Sequence, residues 1–120
     1  MIAPLLALAM FGQDPAADTP PDMITDPQWI ATPTGEDLAR YAPAGARGNG
    51  GATVECRIDA KGWLKFCHVV AETEPRENWG EATLAVVSRK FRSAKLSKSG
   101  QPTEGKLVRI PIQWRLPPSD

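Results

Sequence analysis

Three side chains in this sequence could act as nucleophiles or soft metal ligands, and one stretch holds them all. In VECRIDAKGWLKFCHVV, residues 54–70, stand the only two cysteines, Cys56 and Cys67, and the only histidine, His68. A thiol beside an imidazole is the raw material of a nucleophile pair. Two thiols and an imidazole could hold a metal. Two thiols alone make a redox couple, a disulfide or a buried core pair. The spacing argues against the first two. Neighbours on a strand point to opposite faces, so Cys67 and His68 diverge. The separations lack the CxxC or CxxH pattern of a metal site. No GxSxG, P-loop or GxGxxG motif is present. The expectation is no catalysis, no cofactor, no metal and an exposed strand histidine. The meaning of the cysteines then depends on the fold and the compartment.

The chain of 120 residues makes one domain with little left over. Hydrophobic residues at 42% and charged residues at 23% are ordinary globular values, and a formal net charge of zero gives no reason to expect nucleic acid. The charge is segregated: residues 1–37 carry six acids and no Lys or Arg, whereas 88–120 carry eight Lys/Arg and two acids. An acidic partner, or the acidic arm itself, could lie on the basic end. Residues 1–12 contain the apolar run Ile2–Phe11. That run is shorter than the roughly 20 residues a membrane helix needs. Its length suits a signal-peptide core, with a shortened anchor as the alternative. Residues 13–35, rich in Pro and Asp, read as an extended, disordered arm, with Trp29 clipping it to the domain.

The domain is expected over 36–118. EDLARYAPAGAR (36–47) gives a short helix, and GNGG (48–51) is punctuation. ATVECRID alternates cleanly, with Val54, Cys56 and Ile58 on one face. DAKG suits a type I turn with glycine at the positive-φ position. The next strand, 63–72, changes phase, and a bulge near Lys65–Phe66 would put Leu64, Cys67 and Val69 on one face. Residues 78–94 read as a helix with Asn78 as N-cap, Glu81 completing a capping box, and a Leu84, Val87, Phe91 stripe. Trp79 and Trp114 are expected in the core, and Trp63 partly exposed. KLVRIPIQWRL (106–116) is the last strand.

The predicted class is α+β, in two layers: a short helix, then β-β-α-β. The three strands form an antiparallel sheet of order 2-1-3 with one main helix packed on it. The last strand is then an edge. Pro111 supports this, because a residue without an N–H is tolerated where its nitrogen faces outward. Residues 108, 110, 112 and 114 would bond inward. Arg109, Pro111, Gln113 and Arg115 would line an outer edge open to a partner strand.

The ordered set of these features resembles the TonB C-terminal domain family over roughly residues 29–116. It is carried by YAPAGARGNGGATVECRIDAKGWLKFCHVV, by WGEATLAVVSRKFRSA and by GQPTEGKLVRIPIQW. Ile58, Gly62 and Leu64 match the family's turn. Phe91, Gly100, Pro102, Val108, Ile110, Pro111, Ile112 and Trp114 match the rest. The resemblance implies a two-layer periplasmic domain that adds the N-terminal segment of a TonB-dependent outer-membrane receptor as a strand at the edge of its last strand. A stand-alone periplasmic domain is expected rather than a complete transducer coupled to the inner-membrane motor complex. The alternatives are an envelope-assembly domain that homodimerises through the same edge and, more remotely, a thiol-redox or metal protein.

In an exported, oxidised domain the two cysteines acquire a specific reading. Pairing across the Ala60–Gly62 turn sets residue 56 opposite 66 or 67. Opposed cysteines in a non-hydrogen-bonded pair lie within disulfide reach. A Cys56–Cys67 hairpin staple is expected, with a reduced core pair as the alternative.

Overall fold

A computed structural model describes residues 22–46 and 48–115. Its elements in chain order are β1 (Met23–Ile24), β2 (Trp29–Ala31), α1 (Gly35–Tyr41), β3 (Asn49–Ile58), β4 (Leu64–Glu72), α2 (Trp79–Lys90), β5 (Arg92–Ser93) and β6 (Leu107–Arg115). The class is α+β. The sheet is not the expected three-stranded antiparallel one of order 2-1-3. It has four strands in the order β1-β6-β3-β4, with β1 parallel to β6, and β2 and β5 form a separate two-stranded sheet.

The reason for the difference is the segment before the domain. Part of the stretch read as an arm, residues 22–31, supplies two short strands. Leu107 N–H donates to the Asp22 carbonyl, Lys98 N–H to that of Asp26 and Ala94 N–H to that of Gln28. Ile24 is 2% exposed and joins the core. Trp29 meets Phe91 edge to face at 4.9 Å. Asp22 pairs with Arg57 at 2.9 Å, and the Asp26 carboxylate accepts from Ser99 N–H. Hydrogen bonds from Ser99 hold the Asp26 carboxyl below the ordinary aspartate range. The apolar run 2–11 and the start of the arm lie outside the described residues. Among the described residues no helix is long and apolar enough to cross a membrane.

β3 runs through the centre, antiparallel to β4 and β6. It begins inside the GNGG punctuation, because the Trp79 ring fills the space where a Gly50 side chain would stand. The core lies between α2 and one face of the sheet. It includes Val54, Cys56, Ile58, Leu64, Val108, Ile110 and Trp114 from the strands and Trp79, Val86 and Val87 from α2. Of the expected stripe, Val87 and the C-cap residue Phe91 are in the core and Leu84 is only half-buried; Trp79, Thr83 and Val86 complete the buried face. α2 also ends earlier than expected: Arg92 and Ser93 turn into β5, and the Arg92 guanidinium sits over the Trp63 ring.

The capping pattern differs at the same helix. Asn78 is left-handed (φ 64°) and its side chain caps nothing. The turn Pro75–Glu77 delivers the chain to Asn78 in the left-handed region, away from the extended backbone that a capping side chain uses. Glu72, at the end of β4, substitutes: its carboxylate accepts from Gly80 N–H at 2.8 Å, placing an anion at the helix N-terminus. The capping box occurs on α1 instead, where Thr34 and Asp37 exchange side-chain-to-backbone bonds of 3.0 Å. The Thr34 N–H bond keeps the Asp37 carboxyl below its usual range.

Candidate functional site

The outer edge of β6 is built by alternation. Lys106 carbonyl accepts from Ile58 N–H and so points inward, towards β3; Leu107 N–H donates outward to Asp22. Every second residue repeats the outward direction, so the backbone groups of Arg109, Pro111, Gln113 and Arg115 face away from β3. Pro111 contributes only a carbonyl, at a position where no ladder bond to β3 is lost. β6 pairs with β3 without interruption from Arg57↔Leu107 to Asn49↔Arg115. It therefore presents a regular edge.

β1 covers only the start of that edge. It pairs with Leu107 and Val108, after which the chain turns away at Thr25–Asp26. From Arg109 to Arg115 no strand among the described residues lies on the outer side. The opposite edge of the sheet, β4, is different in kind. Its register against β3 shifts twice, once between Thr53 and Val54 and once between Glu55 and Arg57. The second shift is the bulge at Phe66, whose φ is 54° and whose side chain is 87% exposed. Bulges of this sort twist an edge out of pairing geometry.

Residues with outward backbone groups on β6 also place their side chains on the sheet face opposite α2. That open face has two halves. Near the hairpin it is charged: Arg109 Nε donates to Glu55 Oε1 at 2.9 Å, His68 Nε2 lies 3.8 Å from Glu55 Oε2, and Lys65 stands beside Arg57. Towards the other end, short of Arg115, it is low. Ala71, Thr53 and Pro111 sit side by side across β4, β3 and β6, and Gly51 pairs with Gln113 in the next row. These residues, with Ala52, Glu72, Thr73 and Ile112, line a basin of about 460 Å³.

The residues singled out for chemistry are dispersed. Cys56 and Cys67 are joined by a disulfide, with Cα atoms 4.1 Å apart. Cys56 turns its backbone towards β6, so it faces β4 at a non-hydrogen-bonded position. The Phe66 bulge brings Cys67 round to it, beside half-buried Val69 and buried Leu64. His68 points to the open face, away from the sulfurs. The sequence reading missed two parts of this region. β1 has no periodicity to betray it, being two residues long. The basin is made of small residues, Gly51, Thr53 and Ala71, whose only signal was the interruption of larger side chains on alternate positions.

The chain matches no family model, no curated protein and no solved structure.

Proposed function

We propose that this chain is an exported, non-catalytic binding module of the TonB C-terminal type, which takes an extended peptide as an added strand along Arg109–Arg115. The partner expected from the sequence resemblance is the N-terminal segment of a TonB-dependent outer-membrane receptor. The observation that carries the reading is the contrast between the two edges. β6 is regular, is stapled to the sheet centre over nine residue pairs and, among the described residues, turns the backbone groups of four residues outward with no strand against them in the run Arg109–Arg115. β4 is bulged twice. Strand addition draws its affinity from just such a run of main-chain donors and acceptors. The disulfide supports an oxidising compartment, where such bonds persist.

Hydrogen exchange measured with a panel of receptor N-terminal peptides tests this. Binding should protect the amides of Arg109, Gln113 and Arg115 while leaving those of β4 unchanged. Absence of protection across the panel, with the protein folded and its disulfide intact, would count decisively against strand addition at this edge.

A further inference from the structure

We infer that the low basin beside β6 is a specificity pocket for an aromatic side chain of the added strand, the one whose backbone pairs with Pro111. This rests on the strand-addition reading and extends it from backbone to side-chain recognition.

Three features of the sheet lead there. First, paired residues on neighbouring strands share a face. A peptide residue bonded to Pro111 therefore directs its side chain onto the open face, in the row Ala71–Thr53–Pro111. Second, that row is low. Pro111 offers a flat ring, and Thr53 and Ala71 are short. A ring on the added strand, one strand spacing of about 4.8 Å away, can lie across Pro111 and reach the border of Thr53. Third, the rows nearer the hairpin do not offer this. They are filled by the Glu55–Arg109 pair and His68. The basin thus confines an apolar side chain to one place along the edge.

A second copy of the chain fits the same edge poorly. The antiparallel register that uses all of Arg109–Arg115 pairs Pro111 with Gln113 of the other copy. It sets Arg109 opposite Arg115 at both ends, and like charges directly opposite destabilise a ladder. It also leaves two Gln113 carbonyls without a donor, because Pro111 has none.

Blocked seven-residue peptides of alternating Thr and Ser, carrying one Phe moved through the seven positions, test the inference by titration calorimetry and hydrogen exchange. One Phe position should bind about tenfold more tightly than the Phe-free peptide. Raising the basin beside Pro111 with Thr53→Leu should abolish that gain. A Phe scan that is flat to within twofold, with Arg109, Gln113 and Arg115 still protected, overturns the pocket but not strand addition. Equal gains on Thr53→Leu and the native chain overturn it as well. No protection with any peptide overturns both readings. Protection that rises with protein concentration alone makes a second copy the occupant. The peptide scan needs no variant, so misfolding of Thr53→Leu would not rescue the idea.

Discussion

Glycine and tryptophan settle the geometry of the core at residue scale. Gly50 lies under Trp79, and a Cβ there would overlap the Cε2 and Nε1 atoms of the ring. Trp79 is wholly buried, and its ring centroid lies 6.0 Å from that of Trp114. The Trp114 indole N–H donates to Thr83 Oγ1, which in turn donates to the Trp79 carbonyl. One buried hydroxyl therefore links the Trp114 indole to the Trp79 backbone, while the buried Trp79 indole N–H has no partner among the described residues. Gly50→Ala should cost about 3 kcal/mol or prevent folding, since overpacking a rigid ring forces backbone movement. Urea denaturation followed by tryptophan fluorescence checks this; a loss below about 0.5 kcal/mol, the range of ordinary surface changes, would contradict the close contact. The sequence marked Trp79 and Trp114 as core residues. It gave no sign that a glycine in the GNGG run was needed to seat one of them.

At the scale of elements, the hairpin was the most legible part. Its cue was a phase change: Leu64 and Phe66 alternate in one register, Cys67 and Val69 in the other. Period-two alternation tolerates no such break without an extra residue, so a bulge followed from the pattern. The turn was legible for a similar reason. Asp59 carboxylate accepts from Lys61 and Trp63 N–H, and Gly62 takes φ 91° against the Ser93 carbonyl. The helix cap was not legible, because its partner, Glu72, comes from another element. Local spacing can propose Asn78 and Glu81, but it cannot see a carboxylate arriving from β4. The disulfide makes a measurable prediction at this scale. Closing the short loop between Cys56 and Cys67 should contribute about 2–3 kcal/mol. The Cys56→Ala, Cys67→Ala double variant should lower the urea midpoint accordingly, while reductant should no longer affect it. An unchanged midpoint would mean that packing around Cys56, not the bond, holds the hairpin.

At the scale of the molecule, the sheet is closed by its two ends. The acidic segment read as an arm does lie on the domain from Asp22 onward, through β1, β2 and backbone bonds to residues 94, 98 and 107. Composition suggested attachment, by charge and by Trp29. It could not suggest a strand, because Met23–Ile24 is too short to show alternation and lies between prolines at 21 and 27. Its placement is a tertiary fact: Ile24 finds the core only when β6 is present. Ile24→Ala should therefore cost about 3 kcal/mol, the usual range for emptying a buried aliphatic site. Hydrogen exchange should show Leu107 N–H losing protection in that variant, with β3–β4 amides less affected; uniform loss would show that β1 and the sheet open as one unit. The pairing of β1 with β6 also orders events in time. A chain is made from its N-terminus, so the hairpin can form while β6 is still being synthesised. Met23 and Ile24 must wait for nearly the last residues of the domain. The segment that emerges early is thus among the last to find its place, and the slow, long-range step of folding is the docking of β1 at the start of the β6 edge, next to the stretch Arg109–Arg115 that it leaves open.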